Sequence, residues 1–314
     1  GTNMIGGRAY LARSTAPIEA LAAATAKPCA IFGNITSTID RAEARRLRGL
    51  GIPVLMGTET AIAAMGHHLA RARPPEPPAA PPADLCAACD DWRRRLAGRA
   101  GPLPPEEAFA LLADLGLPLA PWRLAETEAE AVAAAAALGY PLVLKSADPA
   151  LLHKSEAGGV VLRLADEGAL RAAYERMAAR LGPRVLLQAQ AARGVELFLG
   201  LGRDATFGPL VTLGLGGLFV EALRDAQTLL PGAGAAEALA ALERLRGVRL
   251  LDGFRGLPGV DRAALAALVV RFAAAAALLG DRLAEIDVNP LIATPGGLVA
   301  VDALVVVRDE EESA

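Results

Sequence analysis

The stretch Arg73-Pro-Pro-Glu-Pro-Pro-Ala-Ala-Pro-Pro82 constrains this chain more than any other. Each proline lacks a backbone donor and fixes φ near −65°, so neither a helix interior nor a central strand can run through six of them. Such a run favours extended polyproline conformation and acts as a semi-rigid spacer. The 314 residues therefore read as two folding units, residues 1–72 and 101–314, with a Pro-rich linker over 73–100.

Upstream, the pattern predicts helix (16–26), strand (29–33), helix (41–50), strand (52–56) and helix (59–71). This alternation signals parallel α/β architecture. Two strands are too few for a doubly wound sheet, so the chain reads as a piece of something longer. It opens on Gly-Thr-Asn-Met rather than Met, with no secretory signal.

Downstream, a short helix over 93–99 and helices at 106–115, 128–138 and 167–181 are expected. Strands are expected at 141–145, 159–164, 185–190, 195–201 and 210–215. Several follow one another without an intervening helix, which suits an α+β layer with antiparallel pairs. Helices near 235–246 and 261–279 precede strands 284–293 and 298–307, which a Pro-Gly-Gly turn makes into a hairpin.

Composition narrows the function classes. With 53% hydrophobic and 21% charged residues the chain is globular, and a net charge of −3 spread along it excludes the basic footprint of nucleic-acid binding. Ala-rich apolar stretches such as 131–138 and 272–279 fall well short of the roughly 20 residues that span a bilayer, so no membrane partner is expected. Three cysteines make no disulfide framework and favour a reducing cytoplasm. Cys86-x-x-Cys89 lacks two further zinc ligands at sensible spacing and reads as incidental.

Nearly all basic residues are Arg; Lys occurs only at 27, 145 and 154, and Asn only at 3, 34 and 289. Lys is a compact point charge that the guanidinium fork does not replace, so chemistry is sought where it is retained. Lys145 ends an apolar strand and enters a loop containing Ser146, Asp148, His153, Lys154, Ser155, Gly158 and Gly159. These groups suit a polyphosphate, and the glycines permit close backbone approach. No G-x-x-x-x-G-K-[ST] occurs, so phosphate would be held between strands. His153 is the one imidazole beside this loop, and imidazole suits a labile phosphoryl carrier. Asp287 and Asn289 alternate on one strand and share a face, and Asp302 on the paired strand can come opposite.

These segments resemble the NDP-forming acyl-CoA synthetases, the family of ADP-forming acetate–CoA ligases. The resemblance rests on Gly139-Tyr-Pro-Leu-Val-Leu-Lys145 through His153-Lys-Ser-Glu-Ala-Gly-Gly-Val160, Gly194-Val-Glu196, Phe207-Gly-Pro-Leu, Gly214-Leu-Gly-Gly217-Leu-Phe-Val-Glu221, Asp252-Gly-Phe-Arg255-Gly256 and Glu285-Ile-Asp287-Val-Asn289-Pro-Leu. It implies an ATP-grasp domain of α+β subdomains around a nucleotide cleft, preceded by a partial flavodoxin-like parallel α/β domain, the tail of a CoA-ligase domain.

The resemblance also implies roles. His153, Glu221 and Arg255 would be catalytic, with His153 carrying phosphate. Lys145, Ser155, Gly158, Gly159, Gln188, Gln190, Glu196, Gly216 and Gly217 would hold ATP or ADP. Gln188 to Ala191 would form an adenine-facing hinge read by backbone groups, with Glu196 at the ribose. Asp287, Asn289 and Asp302 would hold Mg²⁺. CoA would bind in the complete enzyme, through CoA-binding and CoA-ligase domains upstream or in a partner chain, with homo- or hetero-oligomers possible. The sequence departs from the family in lacking the Arg two residues before Pro231, and Glu156 replaces the usual Asp. Two other readings remain open: an ATP-grasp carboxylate ligase without phosphohistidine, and a nucleotide-binding regulatory module of a protein acetyltransferase.

Overall fold

The computed structural model describes residues 8–33, 40–71, 80–149, 151, 157–217, 225–253, 259–294 and 296–309. It divides into two units between Pro77 and Pro78, within the proline run.

The first unit follows the expected alternation: α1 (Arg8–Ala24), β1 (Ile31–Gly33), α2 (Arg41–Gly49), β2 (Val54–Met56) and α3 (Thr58–Arg71). β1 and β2 pair in parallel, Ile31 opposite Val54. Asp40 caps α2 by accepting from the Glu43 N–H at 2.8 Å, which satisfies a donor the first helical turn leaves open. Ile31, Ala44, Leu47, Ile52 and Val54 form a small core. Both strands are shorter than expected, and α1 starts earlier, at Arg8, with Pro17 inside it.

The second unit begins with α4 (Ala83–Arg95). The short helix expected at 93–99 thus lies upstream, inside what reads as linker. Leu85, Cys89, Trp92 and Leu96 recur at spacings of four, three and four, one helical face, and all are buried in the main core. The Trp92 indole donates to Asp114 at 2.9 Å and Arg95 stacks 3.6 Å over its ring. Trp92→Ala should therefore destabilise this unit by about 3–5 kcal/mol, measured by urea unfolding; a cost under 1 kcal/mol would mean that α4 is dispensable spacer.

After β3 (Gly101–Pro102) and α5 (Pro105–Asp114), two sheets divide the work. One has the order β4-β7-β5-β6, from β4 (Trp122–Ala125), β5 (Leu142–Ser146), β6 (Val160–Leu164) and β7 (Val185–Ala189), all antiparallel. Helices α6 (Glu128–Leu138) and α7 (Glu167–Leu181) cover one face, capped by Thr127 and Asp166. Leu142, Leu144, Val185 and Leu187 point into that core. By strand alternation Val143, Lys145, Leu186 and Gln188 point to the other face, where Leu186 packs with Phe109, Ala147 and Ala303.

The other sheet runs β10-β9-β8-β11-β13-β3, with β12 also on β11, from β8 (Val195–Asp204), β9 (Gly208–Leu215), β10 (Ala226–Leu229), β11 (Leu283–Thr294), β12 (Gly297–Ala300) and β13 (Leu304–Val307). The helices Ala235–Glu243 and Arg262–Leu279 lie on its core face. The second of these has 18 residues and is apolar enough by length and composition to pass for a membrane span, yet Leu265, Val269, Phe272 and Ala276 are buried in the core of this unit. β4, β10 and the last turn of β8 carry no alternation signal strong enough to have been expected.

The closing hairpin differs from the expected one. β11 and β12 form it, Thr294 opposite Gly297, but the expected strand 298–307 breaks at Val301–Ala303 before β13 resumes on β11. Asp302 therefore sits on a break rather than within a ladder. Across the break the register with β11 is kept, Ala300 opposite Leu291 and Leu304 opposite Asp287, which sets Asp302 level with Asn289; on the other side of β11 one extra residue at Asn289-Pro290 shifts the register against β8.

Candidate functional site

Lys145 is the next-to-last residue of β5 and is only 5% exposed. Its ammonium donates to the Val301 carbonyl at 2.5 Å and lies 3.5 Å from the Asp302 carboxylate. A charge this deeply buried needs partners, and it finds them on the second sheet. Val301 is itself tied back by its N–H to the Pro290 carbonyl at 3.2 Å, next to Asn289. The break in the last strand thus brings the lysine of one sheet to the proposed metal residues of the other.

Asp287 and Asn289 flank the fully buried Val288 on β11, so both project away from the core. Burial, then Glu285, then Asp302 hold the Asp287 carboxyl above the ordinary aspartate range. Lys145 pairs with Asp302, yet the carboxylates still crowd one another at Asp287, which fits a divalent metal: Mg²⁺ takes one or two carboxylates and completes its shell with phosphates and water. Among the described residues no group of three His, Cys, Asp or Glu side chains forms a metal site; two carboxylates and an amide are what β11 and the break supply. Beside Asp287 a cleft of about 330 Å³ runs over Phe198, Gly200, Gly202, Arg203 and Thr212. Gly200 stands opposite Asp287, and a Cβ there would meet the Ile286 carbonyl at 3.2 Å.

The glycine turn after β9 closes on Glu196. The Gly216 N–H donates to the Glu196 carbonyl at 2.7 Å. Gly217 has φ +67°, and a Cβ on it would lie 2.3 Å from the Glu196 carboxylate. At the phosphate loop the Gly159 carbonyl accepts from the Ser146 N–H at 2.8 Å, Lys145 pairs with Val160, and Gly158 takes φ +67°. Arg180 supports this turn from α7 through the Ala157 carbonyl at 3.3 Å. His153, Ser155, Glu221 and Arg255 lie outside the described residues.

The hinge residues divide. The Gln190 N–H donates to the Pro141 carbonyl at 3.1 Å, and its side-chain oxygen accepts from Arg163 N–H at 3.2 Å. Gln188 lies between β4 and β5, paired with Trp122 and Val143, so at this position the ladder, not a base, takes the backbone. Its side chain is 1% exposed and its amide nitrogen has no hydrogen-bond partner among the described residues.

Sequence reasoning missed Val301, whose carbonyl acts regardless of side chain, and Asp225. The buried Asp225 carboxylate accepts from the N–H groups of Arg246 and Gly247, both at 2.8 Å. Cys86 and Cys89 are free thiols one turn apart on α4, and burial pushes Cys89 up to about 11, which suits an inert core thiol.

Residues 94–307 match the ATP-grasp domain family. The β subunit of acetate–CoA ligase [ADP-forming] I from Pyrococcus furiosus is 34% identical over 210 residues, 64% of this chain and 90% of that protein. A trans-feruloyl-CoA synthase from an unidentified prokaryote is 37% identical over 220 residues, 66% of this chain, which spans only 31% of that relative. Among solved structures, the Ca. Korarchaeum cryptofilum dinucleotide-forming acetyl-coenzyme A synthetase 1, in complex with coenzyme A and Ca-AMPCP, superposes with a TM-score of 0.63 at 36% identity, covering 69% of this chain and 97% of that one. A second structure of that protein, with coenzyme A and Mg-AMPPCP, has its phosphohistidine segment pointing towards the nucleotide-binding site (TM-score 0.61, 35% identity, 70% and 100% covered). Two sheets that face each other across Lys145 and Asp302, the motif order and these likenesses agree: the chain belongs to the ATP-grasp family, in its branch of ADP-forming acetate–CoA ligases.

Proposed function

We propose that this chain is the nucleotide-binding, phosphoryl-transferring part of an ADP-forming acyl-CoA synthetase, an acid–CoA ligase, exchanging phosphate between ATP and a phosphohistidine at His153. The observation that carries this is the Lys145–Asp302 contact, which sets a phosphate-binding cation 3.5 Å from a carboxylate of the metal cluster. The related synthetase with Mg-AMPPCP and a phosphohistidine segment supports the same pairing of nucleotide and histidine. Asp287, Asn289 and Asp302 would hold Mg²⁺, which when bound neutralises phosphate charge.

In the transfer, an imidazole nitrogen of His153 forms a bond to the γ-phosphorus as the bond to the bridging β–γ oxygen breaks, and ADP leaves with that electron pair. Lys145 holds a phosphate oxygen and offsets the charge shifted to the leaving group. In this reading Gly158 and Gly159 line the phosphate path and Gly216, Gly217 and Glu196 close on the nucleotide, while the roles of Ser155 toward phosphate and of Glu221 and Arg255 toward the histidine are those the family resemblance implies. Thioester formation belongs to CoA-binding and CoA-ligase domains, of which residues 1–72 are the tail, supplied upstream or by a partner chain in the cytoplasm.

The test is incubation with γ-labelled ATP and Mg²⁺. Acid-labile label is expected on the wild type and none on His153→Ala, with Mg-ADP still raising the melting temperature of both. Acid-stable label, or label retained in the variant, would exclude the phosphohistidine and leave an ATP-grasp ligase of another kind.

A further inference from the structure

The residue just before β7 grips the residue just after β5. Ala147 donates its N–H to the Arg184 carbonyl at 2.9 Å, and its own carbonyl accepts from the Arg184 guanidinium at 3.1 Å. The same guanidinium donates to the Glu106 carboxylate on α5 at 2.5 Å and lies 3.6 Å from Glu126. Phe109, three residues along α5 and so on the same helix face, packs with the fully buried Ala147. Glu106 and Phe109 thus fix one point of the chain, two residues past Lys145, where β5 hands over to the loop that carries His153.

Stability alone gives little reason for this ion pair. Apolar side chains of similar volume often replace a buried pair without loss, and this pair is imperfect: Glu106 Oε2 is buried with no hydrogen-bond partner among the described residues. What an apolar pair lacks is a donor for the Ala147 carbonyl. The backbone beside it is also tied, Ser146 N–H to the Gly159 carbonyl at 2.8 Å and Asp148 N–H to the Ser146 hydroxyl at 3.3 Å. Ser146 therefore joins the two ends of the phosphate loop, and Arg184 joins that root to α5. Through Ala108, Leu111 and Leu112, α5 belongs to the core of the second sheet, whose strand β11 carries Asp287 and Asn289. We propose that Arg184 is a positioning residue for phosphoryl transfer: with Glu106 it fixes the root of the phosphate loop against the body that carries the metal residues. This rests on the phosphoryl-transfer reading of the site.

The experiment compares the wild type with the double variant Glu106→Leu/Arg184→Met, which removes both charges together because Arg184→Met alone would strand a buried carboxylate. It reads single-turnover γ-phosphate transfer at saturating ATP, Mg-ADP affinity by calorimetry, the melting temperature, and amide hydrogen exchange at Ala147 and at Leu144 inside β5. Transfer is expected to slow by about 10- to 100-fold, the cost of slightly misplaced reacting groups. Mg-ADP affinity should stay within about twofold, as for a contact that serves the transition state, and the melting temperature should move by only a few degrees. Exchange at Ala147 should quicken by at least about tenfold while Leu144 stays as in the wild type. Unchanged transfer in the double variant would overturn the proposal. So would a fall in melting temperature and Mg-ADP affinity that matches the loss of rate, since that marks a pair serving only the fold. A wild type that takes up no label would instead sink the phosphoryl-transfer reading; equal Ala147 exchange in the two proteins would overturn the loop-root assignment whichever chemistry holds.

Discussion

Lys145→Met is expected to lower the rate of γ-phosphate incorporation by about 100-fold or more, the usual cost of removing one preorganised donor from a developing negative charge. The side chain keeps its volume, so the core of the first sheet, Leu142, Leu144 and Leu187, should pack unchanged. Asp302 loses a cation, but its side chain is 28% exposed, and water can take up part of the freed carboxylate. The melting temperature should therefore move by only a few degrees while transfer collapses. Lys145→Arg should not rescue it, because a planar guanidinium does not fit where the lysine is 5% exposed and aimed at one carbonyl. Full labelling of the methionine variant, followed in a time course against wild type, would remove Lys145 from the phosphate site.

Asp287→Asn should have effects of opposite sign on stability and on metal dependence. The folded state holds the Asp287 proton more tightly than the unfolded chain does, chiefly because the carboxyl is buried and then because Glu285 and Asp302 are near. A carboxyl raised in this way costs stability as pH rises from its unfolded value, about 3.9, through its folded one, and the cost is complete above that. At neutral pH without metal, the asparagine variant should melt higher than wild type, and the difference should vanish in acid. With Mg²⁺ and nucleotide the order should reverse, because the cation relieves the crowded charge only where the carboxylate is present. Mg²⁺-dependent phosphorylation should fall by at least about 10–100-fold. Melting curves at several pH values, with and without Mg-ADP, decide the matter; a variant still stabilised by Mg-ADP as strongly as wild type would place the metal elsewhere.

Much of the fold is legible because its signals are local. Helix α7 falls on the expected residues because Asp166 supplies its cap, and the parallel pair of the first unit follows from alternating helix and strand. β5 and β6 are readable as short apolar runs around a polar loop. α4 was hidden because prolines on both sides read as linker, although the spacing of Leu85, Cys89 and Trp92 was there to see. β10 has four residues and no strong alternation; its place depends on pairing with β9.

The site divides in the same way. Scarcity of Lys and Asn in an Arg-rich chain picked out Lys145 and Asn289, and D-x-N spacing put Asp287 and Asn289 on one face, because a strand alternates with period two. That the two groups meet could not be read, since it depends on the break at Val301–Ala303, which aims a main-chain carbonyl at Lys145. Nor could the pairing of Gln188, because only the strands on both sides, through Trp122 and Val143, show that its backbone is already taken up. The sequence by itself determined which residue types are available and which lie on a common face. The tertiary structure decided which faces oppose each other, because contacts between residues 145 and 302 depend on packing two sheets rather than on any local preference of the chain.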